Sequence, residues 1–257
     1  MIKFFRKIRF DLMEKNKTGK SLKYAIGEIV LVVIGILIAI SINNWNENRI
    51  NDNIEKTYYQ RFLDDVYLDE EILIQQIELT KNRLFSANTL LSYLQQENVN
   101  MKQIANAIRN SVSRSDFKIE PTKITYEDVK SSGNLNLIRD FVLKYKLDKY
   151  YANLEGLMNN ININASRLAL RMLNKEDLIG TGFAIIAMSQ NGFDSDIVNL
   201  KKFEDNFVLT HENRMKLMND AVFYSGLTSR NLQHFKILQQ EINEMKQALE
   251  IKCNLNK

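Results

Sequence analysis

Residues 24–42 read YAIGEIVLVVIGILIAISI, and from Ile29 to Ile40 no side chain is polar. Ten of those 12 residues are Ile, Val or Leu. Each contributes about −0.3 to −0.6 kcal/mol to bilayer insertion, roughly −3 to −6 kcal/mol together. Glu28 sits one turn inside the edge of the run, where water still hydrates it, so the sum outweighs it. Tyr24 and Trp45 flank the stretch, and a helical rise of about 1.5 Å per residue sets them roughly 31 Å apart. That is the thickness of a hydrocarbon core, with amphipathic aromatics at both edges. The apolar residues surround the helix instead of forming one stripe, which argues for a membrane span over a buried core helix. A transmembrane helix is expected over 24–45.

The flanks orient the span. Residues 1–24 carry Lys3, Arg6, Lys7, Arg9, Lys15, Lys17, Lys20 and Lys23 against Asp11 and Glu14. Residues 43–66 carry Arg49, Lys56 and Arg61 against Glu47, Asp52, Glu55, Asp64 and Asp65. The positive-inside rule keeps the basic side in the cytoplasm. The expected organisation is a basic cytoplasmic segment over 1–23, the span over 24–45, and a periplasmic helical-bundle domain over 46–257. The expected location is a bacterial inner membrane. The run ends in ISINNWNE, which lacks the small-x-small site of a cleavable signal peptide, so a permanent signal anchor is expected. MIKFFRKIRF at 1–10 interleaves basic with apolar residues, a pattern suited to an anionic membrane surface and, placed before an anchor, not to nucleic acid.

Two details inside the span bear on partners. Gly35 and Ala39 are four apart, a small-xxx-small spacing that lets helices approach closely. Glu28 lies seven residues before Gly35 and projects from nearly the same face. Glu28 either faces a partner helix, as intramembrane carboxylates tend to, or reaches the headgroups, with the small residues incidental. Glu28, Gly35 and Ala39 are thus the candidate interaction residues in the membrane, and Tyr24 and Trp45 the interfacial anchors.

KYAIGEIVLVVIGILIAISINNWNE at 23–47, with MIKFFRKIR before it, resembles the N-terminus of a family of flavobacterial membrane proteins built on a domain of unknown function. TYEDVKSSGNLNLI at 125–138, followed by Tyr150–Tyr151, is similar to that family's second signature. Ser41 stands where the family's pattern places Gln. The resemblance implies a single-pass protein of a Gram-negative envelope and supplies no catalytic residues.

The rest of the chain is expected to be all-α. It holds one Pro and nine Gly in 257 residues, too few for the turns of a β-rich fold. Between Gly35 and Pro121 there is neither residue. Tyr59, Leu63, Val66, Glu70, Leu73, Ile77, Thr80, Leu84, Ala87, Leu91 and Leu94 follow 4-3 spacing, a coiled-coil-like seam on a long helix. A second ladder comprises Leu147, Tyr151, Leu154, Met158, Ile161, Ala165, Leu168 and Met172. A third comprises Leu217, Ala221, Tyr224, Thr228, Asn231, Phe235, Leu238, Ile242, Met245 and Leu249. Three long helices joined by shorter ones describe an elongated antiparallel bundle. ENVN at 97–100 interrupts the first helix, and Pro121 keeps 113–124 a loop. Thr125 and Asp128 suggest a capping box, and SSGN at 131–134 a helix stop with Gly133 left-handed. LIGTGFAIIAM at 178–188 is too short to span a bilayer and is expected as a buried helix, with Asn191-Gly192 turning the chain.

Catalytic constellations are missing. No Glu-x-x-His or His-x-x-x-His pair accompanies His211 or His234, no Gly-rich phosphate loop or G-x-S-x-G elbow occurs, and Cys253 is the single cysteine; disulfides within the chain and cysteine-based zinc clusters are excluded. No catalytic, metal-binding or cofactor-binding residue is expected, and the protein is not expected to be an enzyme. Within DDVYLDEE at 64–71, Asp65 and Asp69 are expected on a solvated helix face. The tyrosines of KYKLDKYY at 144–151 are expected at bundle edges with wet hydroxyls, or lining a binding surface. The expected partners are the lipid bilayer and a protein partner or a second copy, with no nucleic acid; a small-molecule ligand held between helices is the alternative. The net charge of +4 divides into +5 over residues 1–42 and −1 over the remainder, so the basic surplus belongs to the membrane-facing end.

Overall fold

The computed structural model describes residues 18–113, 118–173 and 208–254, together with Arg6, Phe10, Asp194, Asp196, Ile197, Asn199 and Lys202. Among them are five α-helices and no strand: α1 at Thr18–Leu94, α2 at Met101–Val112, α3 at Ile124–Ser131, α4 at Phe141–Leu173 and α5 at His211–Asn254. A 3₁₀ turn at Asn134–Leu137 joins α3 to α4. The all-α expectation holds, and α1 runs 77 residues without a break, because no Gly or Pro follows Gly35 within it. The polar stretch 43–53 continues the apolar helix. The segment 178–188 and Asn191-Gly192 lie outside the described residues.

The chain divides into two units, residues 1–57 and 58–257. In the first, α1 is solvent-facing along its apolar run: the large hydrophobics from Ile26 to Ile42 are 45–64% exposed. The second is a bundle built around the remainder of α1, with α4 and α5.

Side-chain pairs set the directions in that bundle. Tyr67 meets Glu250 and Glu70 meets Lys246, so α5 runs antiparallel to α1. Asn153–Glu241, Asn164–Asn231 and Arg171–Asp220 make α5 antiparallel to α4 as well. α1 and α4 therefore share a direction, and the segment from α2 to the 3₁₀ turn carries the chain back between them. At the far end Ala87, Leu90 and Leu94 of α1, Ile104 and Ile108 of α2, Leu168 of α4, and Leu217 and Tyr224 of α5 form one apolar cluster. Arg214 of α5 donates to the carbonyl of Leu94, which the end of α1 leaves without an intrahelical partner, and to those of Gln96 and Glu97 in the turn that follows. Asn100 caps α2 by accepting from the Lys102 and Gln103 amides.

All ten residues of the third ladder are buried, as are seven of the eight in the second, Met172 being half-buried. The first ladder is only part of the story. Glu70, Ile77, Leu84 and Leu91 are half-buried, whereas Tyr58, Phe62, Asp65, Asp69, Arg83 and Leu90 are buried beside it. Two ridges are covered because α1 packs against more than one neighbour. The wider buried arc of a bundle helix replaces the narrow seam of a two-stranded coil.

Gly133 takes φ +73°, the left-handed helix stop expected after Ser131–Ser132. The Thr125–Asp128 capping box does not form. α3 begins after Lys123 without a side-chain cap of its own, Asp128 pairs instead with Arg61 at 2.6 Å, and the Thr125 amide is capped from α1.

Candidate functional site

Two places in the molecule stand out chemically: the apolar run of α1, and a polar dock inside the bundle. They are described separately.

The run from Ala25 has a mean hydropathy of 2.8 over its best 18 residues, none of them buried. Among the described residues this is one helix long and apolar enough to cross a membrane, near the N-terminus. Gly35 and Ala39 are exposed and Glu28 is half-buried. A Cβ added at Gly35 would meet nothing within 4 Å, so that face has room for a close helix. Trp45 is 66% exposed, with the Arg49 guanidinium 5.6 Å from its ring centroid, a cation–π pair suited to a polar–apolar boundary. Tyr24 lies in α1, but its side chain is outside the described set.

The dock is centred on Asp65 and Asp69. Both are buried, at 6% and 1% exposure, which corrects their expected place on a solvated face. The reason is that the chain after α2 returns along α1 with backbone amides needing acceptors. Asp69 Oδ1 accepts from the Thr122 amide at 2.8 Å, and Asp65 Oδ2 from the Thr125 amide at 2.9 Å. The Tyr150 hydroxyl donates to Asp69 Oδ2. Burial pushes both carboxyls above the usual carboxylate range; the hydrogen bonds from Thr122, Thr125 and Tyr150 offset this only in part.

Aromatic rings close the dock. Tyr126 stacks on Tyr151 at 4.3 Å between centroids, and Tyr150 meets Tyr151 edge-on at 5.1 Å. Tyr150 and Tyr151 are each 2% exposed; neither has the wet hydroxyl expected of it, whereas Tyr145 is 70% exposed. Burial raises both phenols well above their ordinary value. Tyr126 is pushed up to about 12 by burial and by its hydrogen bond to Asp148. Arg61–Asp128 and Asn134–Tyr58 extend the dock along α1. Asn162 of α4 grips the backbone of Ile119 from both sides, accepting from its amide and donating to its carbonyl.

Chemically, this is a carboxylate pair that accepts from two amides and a phenol and holds a loop in place. The buried Tyr151 hydroxyl beside it has no hydrogen-bond partner. A groove of about 740 Å³ lies beside it, lined by Pro121, Lys123, Ile124, Glu155, Gly156 and Asn159 among others. Lys123 and Glu155 bridge part of it at 2.8 Å.

Among the described residues no group of three or more His, Cys, Asp or Glu is placed to hold a metal ion. His211 opens α5 and is exposed. His234 is half-buried, its Nδ1 without a hydrogen-bond partner, and burial lowers its proton affinity. Cys253 is half-buried near the end of α5.

Sequence reasoning missed Asp65, Asp69 and Arg83. A signal existed: Tyr58, Phe62, Asp65, Asp69, Leu73, Gln76, Thr80, Arg83, Ala87, Leu90 and Leu94 also follow 3- and 4-residue steps, but three charges hide that second ladder from a hydropathy count.

The chain matches the model of a family of unknown function, DUF6090, over residues 28–203, and it belongs to that family. The match begins at Glu28 inside the apolar run, takes in the dock and α4, and ends before α5. No curated protein and no solved structure matches the chain.

Proposed function

We propose that this member of a family without assigned activity is a single-pass, membrane-anchored scaffold whose helical bundle, on the periplasmic side of an inner membrane, binds a partner protein or a second copy of itself. One observation carries the proposal: α1 holds an exposed 18-residue apolar window and continues without a break into the bundle's core. Such a run is stable only when covered by lipid or another helix. The basic residues that precede it and the acidic surplus that follows favour a cytoplasmic N-terminal segment. Glu28, Gly35 and Ala39 are the residues assigned to a helix partner in the membrane. No catalytic step and no cofactor is part of the proposal.

Proximity labelling with the enzyme fused after Lys257 tests side and partner together. Periplasmic neighbours and a recurrent partner, or self-labelling, are the expected result. Labelling of cytoplasmic proteins would reverse the orientation, and cross-linking in intact cells that yields monomer alone would remove the scaffold role.

A second reading, a ligand-sensing bundle that acts through a separate membrane partner, draws support from the buried polar side chains inside the bundle, Arg83, Asn164 and Asn231 among them. Replacing Glu28 with Ala tests its route through the membrane, because an unchanged set of cross-links would exclude that carboxylate from signalling.

A further inference from the structure

α4 carries two ridges. The inner one, with Leu147, Leu154, Ile161 and Leu168, is buried in the bundle. The outer one faces solvent. Val142, Tyr145, Ala152, Gly156, Ile163 and Leu170 fall in one frame of alternating 3- and 4-residue steps, and all six are exposed. Lys149, Asn159 and Ser166 fill the remaining places of that frame and are exposed too. Val142, Tyr145 and Leu170 are 67%, 70% and 56% exposed. At about 1.5 Å per residue the frame is roughly 42 Å long. Its spacing is that of the seam between two paired helices, and among the described residues no element covers it.

Gly156 sits at its middle. A glycine inside a helix is less stable than an alanine there. α4 gives no internal reason for one: Gly156 has no positive φ, and an added Cβ would meet nothing within 4 Å. A second helix laid along the ridge supplies the reason, because a glycine lets another backbone come close. Ala152, one turn earlier, leaves the same room.

Charge says what that helix is. Asp148 and Glu155 each stand one residue before a ridge position, on the side of the groove, and Glu120 and Glu127 line the groove with them. Lys123, bridged to Glu155, is the cation in that lining. Lys146 and Arg167 each stand one residue after a ridge position, on the opposite flank, and both are exposed. A ridge with an acidic flank and a basic flank complements its own copy. Two such ridges packed antiparallel would set acid beside acid and base beside base. Packed in parallel about a two-fold axis, each acidic flank lies beside the basic flank of the other copy, and flanking charges select orientation in this way.

We propose that the outer ridge of α4 is a self-association surface, covered by α4 of a second copy of this chain in parallel orientation. The proposal deepens the second-copy reading of the scaffold and rests on it.

The test is disulfide trapping of the full chain in membranes of expressing cells. Ala152→Cys, Ile163→Cys and, on the exposed surface of α5, Gln233→Cys are each placed in a Cys253→Ser background. Oxidation with copper phenanthroline and oxygen is expected to give linked dimers at Ala152→Cys and at Ile163→Cys, at several times the yield of Gln233→Cys. A parallel pair brings every ridge position to its own copy. An antiparallel pair cannot do so at both positions, which lie roughly 16 Å apart along the helix. Adding Gly156→Leu is expected to cut the Ala152→Cys yield severalfold at unchanged helix content. A dimer at neither position or at one alone, an equal yield at Gln233→Cys, or an unchanged yield with Gly156→Leu would overturn the proposal. So would a monomer whose Ala152→Cys thiol resists a water-soluble maleimide until the chain unfolds, because the chain would then cover its own ridge. If proximity labelling still recovers a recurrent partner, the scaffold stands without this surface; if both fail, both fall.

Discussion

The Tyr150 hydroxyl donates a 3.0 Å hydrogen bond to Asp69 Oδ2, while the other oxygen of that carboxylate caps the Thr122 amide. One buried side chain on α1 therefore holds both the returning loop and α4. The two attachments share one carboxylate, so loosening one weakens the other.

Tyr150→Phe removes the phenol donor and leaves Asp69 with the Thr122 contact. Because the acceptor is charged and 1% exposed, the expected loss of stability is about 1–3 kcal/mol. Denaturant unfolding of the full chain in micelles measures it, and an unchanged midpoint would mean that the dock is not under tension from this bond.

The pH dependence has two opposing parts. The folded carboxyls of Asp65 and Asp69 lie above their unfolded value of 3.8, so between the two values the folded state binds more protons and stability falls as pH rises. Asp140 has the opposite sign: its hydrogen bonds to Lys252 and the Leu143 amide hold it below 3.8, and the stability it contributes is lost as pH falls through that lowered value. Relative to Asp69→Asn, which no longer titrates there, the wild type is expected to gain stability as pH falls toward 3.8. Paired melting curves at several pH values read the difference.

Asn164 and Asn231 are coupled. Asn164→Leu alone leaves the Asn231 carbonyl without its donor in the core, at an expected cost of about 1–3 kcal/mol. Changing both to Leu is expected to recover much of that loss, with a coupling of roughly 0.5–3 kcal/mol in a double-mutant cycle. Additive losses would show that the two amides act separately.

Two glycines are expected to respond with opposite sign, although an added Cβ meets nothing within 4 Å at either. At Gly133, φ +73° penalises any L side chain, so Gly133→Ala costs about 1–2 kcal/mol. Gly156 lies inside α4, where Gly156→Ala stabilises by roughly 0.5–1 kcal/mol. Unfolding midpoints of the two variants on opposite sides of the wild type confirm the pair.

Ile34 and Leu37 sit at the centre of the apolar run, 45% and 57% exposed. Replacing both with Lys adds about 2.5–3.5 kcal/mol each to the cost of insertion, enough to cancel the favourable sum. The wild type is expected to stay in the membrane pellet after carbonate extraction and the double variant to leave it.

The helices were legible because their signals are local. Hydropathy marks 24–42, the 4-3 ladders mark the long helices, and Gly133 marks its own left-handed turn. The third ladder is reproduced in full because its polar members, Thr228 and Asn231, fall in step with apolar neighbours. Local signals fail at the dock. The capping box expected at Thr125–Asp128 is replaced by Asp65, 60 residues earlier in the chain, and nothing near Asp65 in the sequence announces an amide arriving from that distance.

The amino-acid sequence by itself determines the helices, the apolar run and the uneven placement of charge, because each follows from hydropathy and spacing within a few turns. Only the tertiary structure decides that Asp65, Asp69 and Arg83 are inside. A charged side chain is buried when something arrives to satisfy it, and what arrives depends on which helices run in the same direction. Here the return of the chain along α1 brings the Thr122 and Thr125 amides to two aspartates, and Arg83 is held by Thr80 and the Leu79 carbonyl of its own helix.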